Sequence, residues 1–217
     1  MIKHIALALT LVVAPMSSFA AQFIEGTHFT QVSDKAPSSE PKLTEFYSLY
    51  CHNCYNMEKQ YLGDIKASLD KSVSFDSKHV DFMNSDIGTE VMRSLAVIQA
   101  VGQKDQLTNA MFAAIQGNEG GHDHSAEGHE HEQKINNRDD IKQVFAQFGV
   151  DAAQYDKAAD SKETNAKLAL WRAQQQEFQI QSVPAFVVND KYAVNMNSVR
   201  TLGELINLIN YLAVEHK

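Results

Sequence analysis

Hydrophobic and polar positions repeat with different periods along the chain, and each period predicts an element. The segment KLTEFYSLY, Lys42 to Tyr50, is aromatic-rich, follows the turn-like KAPSSEP and reads as a buried strand running into Cys51. From there CHNCYNMEKQYLGDI places Cys54, Met57 and Tyr61 at helical spacing with no breaker before Gly63, so a helix is expected to start at the cysteines. Ser72 to Phe82 alternates at Val73 and Phe75, which predicts a second strand, parallel to the first in a βαβ unit. Val91, Met92, Leu95, Ala96 and Ile98 then form an apolar face that stops at Gly102, and Leu107, Met111, Ala114 and Ile115 form another that stops at Gly117. Ile141, Val144, Phe145 and Phe148 repeat the pattern up to Gly149, and a longer helix holding Trp171 is expected from Lys162 to Ile180. Strand character returns in PAFVVNDKYAV, a hairpin with Asn189 and Asp190 at its turn. A final helix is expected after Thr201 and Glu204, a capping box, with Leu202, Leu205, Ile206, Ile209 and Leu212 as its buried stripe.

Strand, CxxC at a helix start, parallel strand, late hairpin and closing helix is the order of a thioredoxin-type redox fold. The predicted class is therefore α/β, a thioredoxin-like fold with an inserted helical domain. Residues 1–20 read as a signal peptide: Lys3 precedes the apolar run IALALTLVVA, and SSFAAQ offers Ser18 and Ala20 for cleavage after Ala20. The expected division is 21–84 for the first part of the thioredoxin-like domain, 85–179 for the helical insertion and 180–217 for the second part. The apolar run is too short to span a membrane, so a soluble exported protein is expected.

Charge and cysteine usage narrow the function. The formal charge is −8, and −9 once Lys3 is removed with the leader, so an acidic surface argues against nucleic acid as a partner. Cys51 and Cys54 are the only cysteines, and a disulfide across so short a loop restrains little unfolded-chain entropy. Chemistry explains the pair better than stapling. Metal ligation by it would need two further ligands, and no second CxxC exists.

At a helix N-terminus, unpaired N–H groups and the macrodipole favour a thiolate on Cys51, while Cys54 lies one turn deeper as the buried partner. A thiolate that is comfortable in the dithiol form makes the disulfide form an oxidant, by roughly 30 mV for each pKa unit below ambient pH. His52 either places a charge or donor near the Cys51 sulfur or is merely an exposed helix-start residue. Glu45 faces outward or lies buried, and its apolar neighbours favour burial, where its carboxyl would have a raised pKa and take the proton from Cys54 during attack. In QSVPAF, Pro184 is an ordinary strand-start proline or a cis-proline beside the CxxC. The cis form, favoured by context, leaves the Val183 backbone free to pair with an extended substrate.

AQF after the leader, EFYSLYCHNCYNME, HVDFM, SVPAFVVNDKY and the helical insertion together resemble the DsbA family, periplasmic thiol:disulfide oxidoreductases of Gram-negative bacteria. The resemblance implies donation of the Cys51–Cys54 disulfide to newly exported, unfolded or partly folded proteins, with no cofactor beyond that disulfide. It also implies a monomer reoxidised by a DsbB-like, quinone-linked membrane oxidase. Cys51 matches the family's nucleophile, Cys54 its resolving cysteine, Glu45 its buried acid and Pro184 its cis-proline.

Two departures stand out. The family's usual dipeptide is Pro-His, whereas this chain has His52-Asn53, which predicts a less oxidising pair. A histidine-rich loop, GNEGGHDHSAEGHEHEQ at 117–133, carries His122, His124, His129 and His131 among acids, weak candidates for metal ligation. The alternatives to a periplasmic dithiol oxidase are a disulfide reductase or isomerase, and a metal-binding protein using that loop.

Overall fold

The computed structural model describes residues 23–117 and 135–216, so the expected leader and the four histidines of the 117–133 loop lie outside the described residues. In chain order the described residues form β1 (Phe29–Gln31), β2 (Lys42–Tyr47), α1 (His52–Gln60), α2 (Leu62–Ser68), β3 (Ser74–His79), α3 (Asp86–Val101), α4 (Lys104–Gln116), α5 (Arg138–Ala146), α6 (Ala152–Ala159), α7 (Lys162–Glu177), β4 (Ala185–Val188), β5 (Tyr192–Val194) and α8 (Leu202–Asn210). The strands make one mixed sheet ordered β1-β5-β4-β2-β3.

β2 is buried from Leu43 to Tyr47 because both of its faces are covered. It pairs in parallel with β3, Leu43 opposite Phe75 and Tyr47 opposite His79, across the crossover formed by α1 and α2. On its other side β4 runs antiparallel, with Glu45 opposite Phe186. Leu43 packs with Leu62, Ile65 and the α8 residues Leu205, Leu208 and Ile209 on one face. Phe46 points the other way, edge-on to Phe178 at 5.9 Å between ring centroids. At the hairpin, Asn189 and Asp190 have φ of 54° and 53°, the left-handed pair that a tight type I′ turn requires. Asn189 also donates to the Leu212 and Ala213 carbonyls at 3.1 Å each, which ties the hairpin tip to the end of the C-terminal helix.

The helices α3 to α7 lie between β3 and β4 in sequence and build a core of their own around Trp171, Phe112, Phe145 and Tyr155. That core reaches the sheet through Tyr47 of β2 and takes in Leu49 of the following turn and Cys54 and Tyr55 of α1. Arg138 links three parts of the layer, reaching Glu90 of α3 at 2.6 Å and Asp160 after α6 at 2.9 Å.

Several local expectations need correction. β2 ends at Tyr47 rather than Tyr50, because Ser48–Cys51 forms a turn closed by Cys51 N–H to Ser48 O at 2.9 Å. The first helix breaks at Tyr61, where φ is −128°, and not at Gly63. Burial of Leu62 and Ile65 against the sheet keeps the chain helical through Gly63. α7 stops at Glu177, three residues early, because Gln179 turns left-handed at φ 52°. The Ile180 N–H then bonds Gln175 O at 2.9 Å, a Schellman ending with glutamine where glycine is usual. At α8, Thr201 Oγ1 accepts from Glu204 N–H at 3.1 Å as expected, but the Glu204 carboxylate returns to Arg200 N–H at 2.9 Å instead of to Thr201. β1 and α6 have no counterpart among the expectations. β1 is three residues long, and α6 buries only Tyr155 and Ala159.

Candidate active site

The chain leaves the central strand and turns once before α1, and Cys51 stands at that corner. Its extended backbone, φ −90° and ψ 115°, makes it the N-cap of α1, and its sulfur accepts the Cys54 N–H at 3.1 Å. A sulfur there meets helix N–H groups that have no intrahelical partner. The Cys51 thiol donates to the Val183 carbonyl at 3.3 Å. Both cysteines are thiols, Cys51 partly exposed and Cys54 1% exposed.

Their acidities diverge for physical reasons. Cys51 is lowered from 9.0 to about 7, chiefly by the hydrogen bond from the Cys54 thiol, against the opposing effect of burial, with further help from the N–H groups of Cys54 and Asn53. Cys54 is pushed strongly upward, first by burial, then by its bond to Cys51 and by the nearby charges of Cys51 and Glu45. One sulfur is thus prepared to leave as a thiolate and the other to hold its proton.

Glu45 is 3% exposed on the central strand, between Phe186 and Ser77 of the neighbouring strands. With Tyr47, Glu58, Lys66, Asp105, Ser77 and Thr108 it lines a cavity of about 10 Å³, room for about one water molecule. Ser77 Oγ is buried there without a protein hydrogen-bond partner. The phenol of Tyr47 is raised well above its usual range by burial and then by Glu45, Glu58 and Cys54, so these groups share one low-dielectric neighbourhood.

The turn before Cys51 is held by side chains. Tyr50 N–H bonds Ser48 Oγ at 3.2 Å, Leu49 N–H bonds His79 Nε2 at 3.0 Å, and Leu49 O accepts from Gln116 Nε2 at 2.6 Å. His79 is fully buried and its pKa falls to about 4, mainly through burial. It is therefore neutral, with Nδ1–H on the Val80 carbonyl at 2.7 Å and Nε2 left to accept.

The Val183–Pro184 bond is cis, and β4 starts only at Ala185, so Val183 lies just outside the ladder with its carbonyl on Cys51. His52 occupies the first position of α1 with an exposed side chain. The structure therefore gathers Cys51, Cys54 and the Val183–Pro184 bond at one corner, with Glu45 close enough for its charge to act on Cys54 and His52 exposed beside Cys51 at the start of α1.

A dithiol at the mouth of a thioredoxin-like sheet, beside a cis-proline, is matched across the chain by sequence. Residues 42–207 fit the family model described as the DSBA-like thioredoxin domain. The chain belongs to the DSBA-like thioredoxin family. It is 31% identical to the thiol:disulfide interchange protein DsbA of Escherichia coli strain K12 over 201 residues, 92% of this chain and 89% of that protein. To the Shigella flexneri protein of the same name it is 31% identical over 221 residues, 98% of this chain and 99% of that one. Among solved structures, the disulfide oxidoreductase DsbA of Proteus mirabilis superposes with a TM-score of 0.73 at 28% identity, covering 89% of this chain and 98% of that one. A variant of the same protein with a non-covalently bound peptide gives a TM-score of 0.74 at 27% identity, covering 88% and 98%.

Within this DSBA-like chain, Tyr47, His79 and Gln116 are the site residues that sequence reasoning missed. His79 stands in HVDFM, a stretch read as strand and as part of the family resemblance but given no site role, and the alternation gives no hint that its ring bonds a backbone 30 residues away. Gln116 ends an amphipathic helix one residue before its glycine stop, a place where a polar residue is unremarkable. Tyr47 follows Phe46 in an aromatic run, and its hydroxyl was a signal that a polar neighbour lay inside.

Proposed function

We propose that this chain is a periplasmic thiol:disulfide oxidoreductase that donates its Cys51–Cys54 disulfide to newly exported proteins that are reduced and not yet folded. The observation that carries the reading is the Cys51 sulfur at the N-cap of α1, bonded by the Cys54 N–H at 3.1 Å while Cys54 itself is buried. In the disulfide form, a substrate thiolate attacks Cys51 Sγ, a new S–S bond forms to the substrate, and the Cys51–Cys54 bond breaks with its electron pair going to Cys54. Cys54 is raised too far to remain a thiolate and takes a proton, for which Glu45 is the nearby carboxyl. A second substrate thiolate then attacks the substrate sulfur of the mixed disulfide and releases Cys51 as a thiolate. The substrate ends oxidised and the pair reduced.

Val183 supports substrate binding, because its backbone lies next to the reacting sulfur and outside the ladder, where an extended peptide can add as a strand. No cofactor beyond the disulfide enters this cycle. A DsbB-like, quinone-linked membrane oxidase restores the disulfide, and the chain works as a monomer in the periplasm. Among the described residues no helix is long and apolar enough to cross a membrane.

The test is oxidative refolding of a reduced, unfolded protein. Cys51→Ala abolishes the activity, and deleting residues 121–131 leaves it nearly intact. The opposite pair of results would favour the metal-binding reading of the histidine-rich loop.

A further inference from the structure

The turn that delivers Cys51 is secured by a side chain from the inserted helices. Leu49 and Tyr50 are its central residues, between Ser48 O and Cys51 N–H, which close it at 2.9 Å. The two common forms of a four-residue turn differ by a flip of the middle peptide, which points its carbonyl to opposite sides. Here the middle carbonyl is that of Leu49, and it accepts from Gln116 Nε2 at 2.6 Å across 67 residues of sequence. Leu49 is fully buried, so water does not readily replace that donor. The other polar group of Leu49, its N–H, is fixed by neutral His79 at 3.0 Å.

We infer that Gln116 is a positioning residue for the redox reaction: by holding the Leu49–Tyr50 peptide in one of its two orientations, it fixes the Cys51 sulfur against the Cys54 N–H and the Val183 carbonyl. The inference rests on Cys51 being the reactive sulfur. Its effect differs between the redox states. In the disulfide form a covalent bond to Cys54 holds Cys51 in place, whereas in the dithiol form the turn and two weak hydrogen bonds at its sulfur, from the Cys54 N–H and to the Val183 carbonyl, do so. Loss of the Gln116 donor therefore weakens the reduced state more than the oxidised one. The pair becomes less oxidising, and the Cys51 thiolate forms at higher pH.

The experiment uses the full chain with Gln116→Leu, which cannot donate, and Gln116→Lys, which keeps an N–H donor on a flexible stem. Each is equilibrated with mixtures of reduced and oxidised glutathione, and its thiolate is titrated. Gln116→Leu is expected to shift the equilibrium about tenfold toward the oxidised enzyme, roughly 30 mV, and to raise the Cys51 midpoint, while Gln116→Lys stays near the parent. A Gln116→Leu variant indistinguishable from the parent in both readouts overturns the inference. So does a Gln116→Lys variant displaced as far as Gln116→Leu, since the effect would then follow packing and not the donor. A parent that fails to exchange with glutathione refutes the oxidoreductase reading itself, a result separable from either of these.

Discussion

Replacing Cys54 by alanine isolates what makes Cys51 acidic. In the parent, Cys51 lies about 2 units below the 9.0 of an unperturbed cysteine, and the thiol of Cys54 is the largest cause. A hydrogen bond to a charged group contributes ~1.5–3 kcal/mol, and at a partly open sulfur solvent screening places it near the lower end, about one pKa unit. Cys54→Ala removes that donor but keeps the backbone N–H that caps the sulfur at 3.1 Å. The midpoint should therefore climb by about one unit, without reaching the unperturbed value. The assay is the far-ultraviolet absorbance of the thiolate against pH, cross-checked by the rate of alkylation. A variant that titrates with the parent would refute the assignment to the Cys54 thiol, and a parent midpoint near 9.0 would refute the cap as well. Linkage supplies a second readout. Because the folded pKa is depressed, the thiolate stabilises the reduced fold fully above 9.0, and that stability is lost as pH falls through about 7. The full 2 units correspond to ~2.7 kcal/mol, and roughly half survives screening, so urea unfolding of reduced parent and Cys51→Ala should diverge by about 1.4 kcal/mol between those limits.

Glu45→Gln removes the carboxyl proposed to exchange a proton with Cys54 and should slow mixed-disulfide formation or resolution by about 10²-fold, read by stopped-flow fluorescence of Trp171; unchanged rates would remove Glu45 from the mechanism. The double variant His52→Pro/Asn53→His restores the dipeptide usual in the family and should raise the reduction potential by about 30 mV or more against glutathione; an equal or lower potential would show that the dipeptide does not set the poise of this chain. Trp171→Ala opens the core of the helical layer and should cost ~3–5 kcal/mol, a fall in Tm of roughly 6–20 °C, with the Cys51 midpoint unmoved in the folded protein. A drop of only a degree or two would mean that the layer closes over the gap.

The sequence carried the fold where local signals and burial agree. Cys54 at helical spacing, glycines at the ends of α3 and α4, and Asn189-Asp190 between two β-rich runs all describe conformations that a few neighbouring residues decide. It was silent where a distant partner decides. The end of β2 at Tyr47 was hidden because the turn that follows, though closed by local bonds to Ser48, is also held by His79 and Gln116 from two other elements. Gly63 reads as a breaker until Leu62 and Ile65 are placed on the sheet, and Gln179 hides a helix end that a glycine would have announced. The same division runs through the site. The CxxC spacing exposed the two sulfurs, whereas the peptide that aims the first of them is fixed by contacts 30 and 67 residues away.

The opposed acidities of the two sulfurs arise from different surroundings on one helix turn. Cys51 takes its stabilisation from donors at the start of α1, first the Cys54 thiol and then the N–H groups of Cys54 and Asn53. Cys54 instead belongs to the core made by α3 to α7, with Tyr55 on the same helix stacked on Phe112 of α4 at 5.0 Å between ring centroids. Without that ceiling the α1 helix would present Cys54 to water, its burial penalty would fall, and a thiolate on Cys54 would compete with one on Cys51. The inserted helices thus act on the chemistry twice, once by drying the second sulfur and once, through Gln116, by aiming the first.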